Sequence, residues 1–204
     1  MVVNVQILLA TSNDHKLHEV RNILEPMGIQ VEGLGSLDKT HDEPIEDAKT
    51  FEGNARLKAV GYALATGIRC MADDSGLSVD ALDGKPGVLS ARFAGIGETR
   101  DERDQENNAL LLQQMQNIPV QERTAKFMCA LCVADPDGTI VAESTGVFEG
   151  IIGFVQRGDN GFGYDPLFFV PSANKTSAEM SSKEKNQQSH RGDAVRKIRP
   201  KLLQ

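Results

Sequence analysis

The sequence predicts an α/β protein with a mixed β-sheet flanked by helices. In its first half, apolar runs of strand length alternate with segments whose apolar residues recur at helical spacing, which is typical of parallel strands joined through helices. In its second half, residues 124–134 and 139–150 are long strand-like runs separated by Asp135-Pro136-Asp137-Gly138. Pro and Gly favour a tight turn, so these two runs are predicted to form an antiparallel hairpin in the same sheet.

The N-terminal third of the chain supplies three strands and two helices. Residues 5–10 predict a strand, and apolar residues at helical spacing then continue until Gly28 ends a helix. Residues 29–34 are a candidate second strand. Residues 50–66 predict a helix that ends at a glycine, and residues 68–72 predict a third strand that ends in two acids.

Three further helices are predicted. Residues 101–117 carry acids in the first turn and a run of leucines further on, as a helix that packs on a sheet should. Residues 181–184 have the spacing of a capping box, so the helix that follows contains Lys185. The last helix is predicted to start at residues 189–192.

Composition limits the classes of function. The chain has 204 residues, 40% hydrophobic and 25% charged, which is enough for one globular domain over residues 1–204 with a sizeable core. The net charge of −7 argues against a protein that coats nucleic acid, because broad phosphate binding needs a basic face. No stretch approaches the roughly 20 apolar residues of a membrane span, and residues 1–10 lack the basic start of a secretion signal. We therefore expect a soluble, cytoplasmic protein with no membrane or nucleic-acid-polymer partner.

The three cysteines do not suggest a disulfide framework, because their number is odd and the chain is long. Cys129-Ala130-Leu131-Cys132 has the spacing of a redox or zinc half-site. It lies in a predicted buried strand, however, and no second cysteine pair accompanies it. Core packing is the favoured interpretation.

The adjacent carboxylates of Asp73 and Asp74 are the first candidate for chemistry. They follow a predicted strand and precede Ser75-Gly76, where a ligand can approach the backbone closely. Like charges this close need a shared proton or a hard cation, and oxygen ligands favour Mg²⁺ or Mn²⁺ over zinc. The alternative is that these residues cap a helix and do no chemistry.

Two other segments carry polar groups at predicted helix starts. Thr11 to Lys16 offers hydroxyls, an amide and a lysine beside a helix N-terminus, a combination that binds phosphate. Its alternative is a plain helix cap, and it lacks the glycine spacing of a P-loop. His190 and Arg191 are neighbouring donors suited to a carbonyl or phosphate oxygen.

The glycine-rich segment at residues 158–166 contains Phe162, Tyr164 and Asp165. A ring between glycines can stack on a flat base, while a carboxylate accepts hydrogen bonds from its edge. An aromatic anchor in the core is the alternative. Lys185, taken alone, would be interpreted as a charge exposed to solvent. The acidic residues around Glu46 have two interpretations, a solvent-exposed run of charges or part of a metal site.

Together, these segments resemble the family of inosine triphosphate pyrophosphatases, also called XTP/dITP diphosphatases. Seven motifs follow one another in the family's order over nearly the whole chain, and the series is specific although each motif alone is weak. They are Thr11-Ser12-Asn13-x-x-Lys16, Glu46 ahead of Thr50-Phe51-x-x-Asn54-Ala55, Ala72-Asp73-Asp74-Ser75-Gly76-Leu77, Gly84-x-Pro86-Gly87-Val88-x-Ser90-Ala91-Arg92, Gly161-Phe162-Gly163-Tyr164-Asp165-Pro166, Lys185, and Ser189-His190-Arg191-Gly192.

The resemblance implies a hydrolase that cuts ITP, dITP and XTP to the monophosphate and pyrophosphate with Mg²⁺, or with Mn²⁺ as the alternative cation. It also implies an elongated mixed sheet in two lobes, an active site in a central cleft, and a homodimer. By position, Asp74 is expected to be the general base and to hold the metal with Asp73 and Glu46. The residues expected to bind the triphosphate are Thr11, Ser12, Asn13, Asp14, His15, Lys16 and Lys185. Those expected around the base and sugar are Ser75, Phe162, Gly163, Tyr164, Asp165, His190 and Arg191.

Base selectivity follows from the purine edge. Hypoxanthine and xanthine present an oxygen acceptor at position 6, where adenine presents an amino donor. Donors from His190 or Arg191 would pair with the oxygen and clash with the amino group.

Two alternative functions stay open: a pyrophosphatase for modified pyrimidine nucleotides, and a nucleotide-binding sensor without turnover.

Overall fold

The computed structural model describes residues 5–203, and within that range it contains seven strands and five α-helices. The strands are β1 (Val5–Leu9), β2 (Ile29–Gly33), β3 (Cys70–Val79), β4 (Thr124–Ala134), β5 (Ile140–Ile152), β6 (Phe168–Val170) and β7 (Lys175–Thr176). The helices are α1 (Asp14–Leu24), α2 (Phe51–Thr66), α3 (Arg100–Met115), α4 (Ser182–Gln188) and α5 (His190–Leu202).

The strands form one sheet in the order β2-β1-β3-β4-β5-β6-β7. Strand β1 is parallel to both β2 and β3, whereas β6 is antiparallel to both β5 and β7. Strands β4 and β5 are neighbours joined by a tight turn, in which Gly138 N–H donates to the carbonyl of Asp135 at 2.8 Å. A connection this short joins antiparallel strands. The predicted mixed α/β sheet is therefore confirmed.

The chain divides into two compact units, each with its own core. Unit 1 contains residues 5–74, 129–146 and 189–203. Helices α1 and α5 pack together in it and bury their apolar faces with β1, β2 and β4. Its core includes the side chains of Ile7, Leu9, Val20, Leu24, Met71, Leu131, Val195 and Ile198.

Unit 2 contains residues 75–128 and 147–188. The Phe168 ring lies between two others in its core, with centroids 4.5 Å from Phe127 and 5.2 Å from Phe148. Arg123 is 1% exposed, and its guanidinium donates to the carbonyls of Met115 at 2.6 Å and Ile152 at 2.7 Å. A buried arginine thus binds the C-terminal end of α3 and the end of β5. The prediction of one domain over residues 1–204 stays a prediction.

Helix ends agree with the capping residues of the sequence. Thr50 caps α2 by accepting Gly53 N–H at 3.1 Å, and Gly67 ends this helix with a φ of 69°. Thr99 and Glu102 form a capping box at the start of α3. The predicted helices at residues 50–66 and 101–117 are confirmed, and their ends agree with the observed ends within two residues.

The predicted end of the third strand is wrong. Strand β3 continues through Ser75 and Gly76 to Val79, so the two acids lie within the strand rather than after it. A Cβ on Gly76 would lie 2.3 Å from Ser90 Oγ, and this hydroxyl instead accepts Leu77 N–H at 2.9 Å. The glycine therefore allows close packing on the strand and does not form the predicted loop.

The three cysteines are buried and free, as the core-packing interpretation requires. Burial raises the pKa of the Cys70 thiol to about 11 and that of Cys132 to about 12. Burial, together with the charge of Asp73, raises the pKa of Cys129 well above its usual value. These thiols are therefore mostly protonated at neutral pH.

A thiol-reactivity measurement follows from this burial. At pH 8 we expect the folded protein to react with a disulfide reagent about a hundredfold more slowly than the urea-unfolded chain, because the thiolate is the reacting form. The unfolded chain should release three equivalents of product. One thiol that reacts rapidly in the folded protein would contradict the burial of that cysteine.

None of the helices within residues 5–203 combines the length and apolar character that a membrane crossing requires.

Candidate active site

The two acids of β3 enter different surroundings because successive side chains of a strand point to opposite faces. Asp73 is 1% exposed and contacts residues of α1 and α5. Asp74 is 9% exposed and contacts residues of α2. The two neighbouring carboxylates thus have separate partners.

Asp73 is an anion held by donors on both oxygens. Lys16 Nζ donates to Oδ1, while Arg191 Nε at 2.9 Å and Cys129 Sγ at 3.0 Å donate to Oδ2. Burial alone would raise the pKa of this carboxyl. The charges of Arg191 and Lys16 outweigh burial and hold the pKa well below its usual range.

Arg191 is itself buried, with 1% of its surface exposed. Its Nε and Nη2 face Asp73, and its Nη1 donates to Glu19. Every guanidinium nitrogen therefore has a carboxylate partner. Lys16, Asp73, Arg191 and Glu19 form a chain of alternating charges, which we call the buried ion chain. It ties β3 to α1 and α5.

Asp74 accepts a hydrogen bond at Oδ2 from Asn54 Nδ2 at 3.1 Å. Its Oδ1 lies 3.9 Å from Lys58 Nζ, and this ammonium is 3.0 Å from Glu46 Oε2. Burial raises the pKa of the Asp74 carboxyl, although the charges of Lys58 and Lys16 act in the opposite direction. A carboxylate with a raised pKa is a stronger proton acceptor near neutral pH than an ordinary aspartate.

Two of the three predicted metal ligands fit a hard cation. Glu46 and Asp74 both approach the ammonium of Lys58, so their oxygens already share a positive charge, and carboxylate oxygens suit Mg²⁺ or Mn²⁺. Asp73 has both oxygens occupied by donors. Within residues 5–203, no group of three or more His, Cys, Asp or Glu side chains is arranged to hold a metal ion. The set of Asp73, Asp74 and Glu46 as joint ligands therefore stays a prediction.

The predicted phosphate loop precedes α1. Asn13 caps this helix by accepting His15 N–H at 3.0 Å, and Thr11 Oγ1 accepts Asn13 N–H at 3.1 Å. Lys16 follows on the helix and reaches Asp73. A cavity of about 500 Å³ lies beside this loop. Its polar lining includes Thr11, Ser12, Asp14, Lys39, Thr40 and His41.

In unit 2 the glycine-rich segment brings three predicted site residues together. Asp165 Oδ2 accepts Phe162 N–H at 2.9 Å and Lys185 Nζ at 2.7 Å. Gly161 has a φ of 79°, and a Cβ there would lie 2.0 Å from Asp165 Oδ2. Lys185 is 6% exposed, so the solvated-charge interpretation of this lysine is wrong. The ion pair with Asp165 explains how a lysine is buried here.

Helix α3 holds the same segment by its backbone. Asp104 Oδ2 accepts Gly163 N–H at 2.8 Å, and Asn108 Nδ2 donates to the Gly163 carbonyl at 2.8 Å. Tyr164 lies in the core of unit 2, and its hydroxyl donates to the Ser90 carbonyl at 2.8 Å. The core-anchor alternative is therefore confirmed for Tyr164. Phe162 is only partly buried. The guanidinium carbon of Arg100 lies 5.2 Å from its ring centroid, and Lys185 Nζ lies 5.1 Å from it.

The remaining predicted residues lie close to these groups in the chain. Ser75 follows Asp74 directly on β3 and is partly buried. His190 is 5% exposed in the first turn of α5, which Ser189 caps by accepting Gly192 N–H at 3.1 Å. Asp14 and His15 are exposed in the first turn of α1.

Several contacts at the site were not predicted from the sequence. Lys58 lies four residues after Asn54 on α2, and Glu19 lies three residues after Lys16 on α1. Such spacing places each pair on one helix face, so this signal was available. No local pattern indicates that Cys129, 56 residues away along the chain, donates to Asp73.

Comparison with known proteins identifies the family of the chain. A family model described as the Ham1 family matches residues 7–201. The chain belongs to the Ham1 family. Curated relatives named dITP/XTP pyrophosphatase include one from Exiguobacterium sibiricum, 48% identical over 97% of this chain and 97% of its own. Another, from Bacillus subtilis, is 45% identical over 100% of both chains. The solved Ham1 protein of Staphylococcus aureus matches with a TM-score of 0.82 and 37% identity over 97% of this chain and 98% of that one. The predicted resemblance is thus confirmed.

Proposed function

We propose that this chain hydrolyses the deaminated purine nucleoside triphosphates ITP, dITP and XTP to the monophosphate and pyrophosphate. The observation that carries the proposal is Asp74, a buried carboxylate with a raised pKa beside the Lys58 ammonium and Glu46. The name dITP/XTP pyrophosphatase, given to relatives that match the chain over nearly its whole length, supports the choice of substrate.

In the proposed reaction, Asp74 takes a proton from a water molecule. The oxygen of that water bonds to the α-phosphorus, the bond from this phosphorus to the bridging oxygen breaks, and pyrophosphate leaves. The hydrogen bond from Asn54 to Oδ2 holds the carboxylate in place, and we assign Oδ1 to the water. A raised pKa suits this role, because a base is most effective when its pKa lies near the working pH.

Glu46 and Asp74 would hold Mg²⁺ or Mn²⁺, which polarises phosphoryl oxygens and offsets their charge when bound. Lys58 Nζ lies 3.0 Å from Glu46 Oε2 and 3.9 Å from Asp74 Oδ1, and we assign it to the phosphates of the bound nucleotide. Asp73 serves a different purpose in this proposal. It is a positioning residue that holds Lys16. Lys16 and the loop Thr11 to His15 then bind the triphosphate.

The proposed base-binding group is in unit 2. Phe162 supplies a ring for stacking, and Asp165 with Lys185 fixes the backbone that carries the ring. Contacts of His190 and Arg191 with the base or sugar, a homodimer and a cytoplasmic location stay predictions. Because Arg191 already binds Asp73 and Glu19, we assign it mainly to the positioning of Asp73.

A substrate panel tests the proposal. Pyrophosphate release is measured with Mg²⁺ from ITP, dITP, XTP, ATP, GTP, dUTP and methylated pyrimidine triphosphates. We expect rapid release from the first three nucleotides and slow release from the others. Faster release from the pyrimidine triphosphates would contradict the proposal and indicate a pyrophosphatase for modified pyrimidine nucleotides. Binding of ITP without any release would indicate a sensor.

A further inference from the structure

The N–H groups on either side of the Phe162 Cα atom are both bound by carboxylates. Asp165 Oδ2 accepts Phe162 N–H at 2.9 Å, and Asp104 Oδ2 accepts Gly163 N–H at 2.8 Å. These N–H groups belong to the two peptide units that meet at this Cα atom. Because the orientations of the two planar units set φ and ψ of Phe162, they also set the direction of its Cα–Cβ bond. The two carboxylates together therefore determine where the ring points.

The two carboxylates come from different elements. Asp165 belongs to the glycine-rich segment itself and is paired with Lys185. Asp104 lies on α3, and Asn108, four residues later on the same helix face, donates from Nδ2 to the Gly163 carbonyl at 2.8 Å. Asp104 and Asn108 thus hold both polar backbone groups of Gly163, and we call this pair the α3 clamp. The clamp and the segment that it holds lie in unit 2.

The α3 clamp acts at a position that has little else to restrain it. Gly163 has a φ of 62°, a left-handed conformation that favours glycine. Apart from its chain neighbours, no described atom lies within 4 Å of the place where a Cβ would be. Side-chain packing therefore does not fix this residue. Without the bonds from Asp104 and Asn108, the peptide unit after Phe162 would be free to turn, and the ring would turn with it.

Asn108 is an unfavourable residue for packing alone. It is 3% exposed, and its amide oxygen has no hydrogen-bond partner among residues 5–203, which is destabilising at a buried position. The neighbouring Asn107, by contrast, uses both ends of its amide: it accepts Ala94 N–H at 2.8 Å and donates to the Ser90 carbonyl at 3.3 Å. The bond to Gly163 therefore accounts for a polar side chain at a position where leucine would pack without an unpaired oxygen.

We propose that Asp104 and Asn108 are positioning residues that direct the Phe162 ring towards the base of the substrate. The inference rests on the proposed function, because it takes the ring to stack on a base. A ring that is already held needs no ordering when the base arrives, whereas a ring on a free glycine segment must be ordered by the ligand. The base takes no part in bond breaking, so the clamp strengthens substrate and transition-state binding equally. Its loss should raise KM and leave kcat unchanged.

Substitution of Asn108 by leucine tests the proposal, because leucine has a similar size and lacks the donor to Gly163. We expect KM for ITP to rise about threefold to tenfold, as the ordering of one side chain implies, with kcat within about twofold of its original value. The affinity for IMP should fall by the same factor as KM rises. The affinity for inorganic tripolyphosphate, which has no base, should stay the same.

The second half of the α3 clamp is tested by two substitutions of Asp104. Asp104→Ala removes the acceptor and should raise KM as Asn108→Leu does. Asp104→Asn should keep most of the affinity for IMP, because an amide oxygen still accepts Gly163 N–H. Asp101→Ala is the matched control, since it removes an exposed carboxylate from the first turn of the same helix. It should leave KM and both affinities unchanged.

A purely structural contact would give a different result. Equal losses of affinity for IMP and tripolyphosphate in Asn108→Leu, or a fall in kcat with KM unchanged, would overturn the proposal. Unchanged KM in both Asn108→Leu and Asp104→Ala would also overturn it. Urea unfolding of Asn108→Leu should show little loss of stability, because the substitution also removes the unpaired buried oxygen.

Failure of the proposed function gives a separate result. If the unmodified protein binds ITP and IMP but releases no pyrophosphate, the hydrolysis proposal fails, while a selective loss of IMP affinity in Asn108→Leu still supports the α3 clamp. If the unmodified protein binds tripolyphosphate but not IMP, the Phe162 ring receives no base, and the proposal for Asp104 and Asn108 is overturned.

Discussion

Replacement of Asp74 by asparagine is expected to lower the turnover of ITP by about 10² to 10⁴ while ITP still binds. The amide has nearly the shape of the carboxylate, so the hydrogen bond from Asn54 can be kept through the amide oxygen. It cannot take a proton from water. The loss should therefore fall on kcat, with a smaller change in KM because one ligand of the proposed metal is also weakened.

The measurement is pyrophosphate release with Mg²⁺, together with calorimetric binding of ITP to the variant. Asp137→Asn is the control, because Asp137 is an exposed aspartate in the turn between β4 and β5. It should behave like the unmodified protein. A rate for Asp74→Asn near that of the control would remove Asp74 from the role of general base. Loss of binding in parallel with the rate would assign it to metal or substrate binding instead.

The fold followed from the sequence wherever the signal was local. Strand β4 has the predicted bounds, and α2 begins one residue after its predicted start, because strand patterning and helix periodicity depend on neighbouring residues. Strands β6 and β7 have three and two residues, too few for an alternating pattern to be recognised. The end of β3 was missed because Ser-Gly favours a loop unless a partner such as Ser90 packs on the glycine.

The different partners of Asp73 and Asp74 could not be predicted from the sequence. Both acids were predicted as metal ligands, and only the family resemblance gave Asp74 the further role of general base, since a dipeptide of identical residues gives no local reason to separate them. Their surroundings differ because α5 brings Arg191 to Asp73 from 118 residues away, while α2 brings Asn54 and Lys58 to Asp74. Such pairings depend on tertiary packing, which local patterns do not encode.

Replacement of Asp73 by asparagine is expected to destabilise the folded protein by about 3–5 kcal/mol. Asp73 is the central anion of the buried ion chain and has two cationic partners, Lys16 and Arg191. Without that charge, Arg191, which is 1% exposed, loses its pairing with Asp73 and keeps the one with Glu19. The cost arises because a buried charge loses compensation, rather than because one favourable contact is lost.

Urea unfolding at pH 7 measures this effect. Asp135→Asn provides a matched control, because Asp135 pairs with Arg69 at 2.5 Å in a partly exposed position. A pair of that kind contributes about 1 kcal/mol or less. A loss for Asp73→Asn no larger than that of Asp135→Asn would contradict the structural role of the buried ion chain.

The difference in stability between the unmodified protein and Asp73→Asn should also depend on pH. The pKa of Asp73 is lowered in the folded state, so its ionised form stabilises the fold above the unfolded pKa of about 3.9. That contribution is lost as the pH falls from this value through the lower folded pKa. The Asp73→Asn variant has no carboxyl at this position, so its stability does not depend on this titration. The difference between the two proteins should therefore be constant above about pH 5 and become smaller below about pH 4. A difference that stays constant down to pH 3 would mean that the asparagine substitution acts through packing, and not through the charge that Lys16 and Arg191 share.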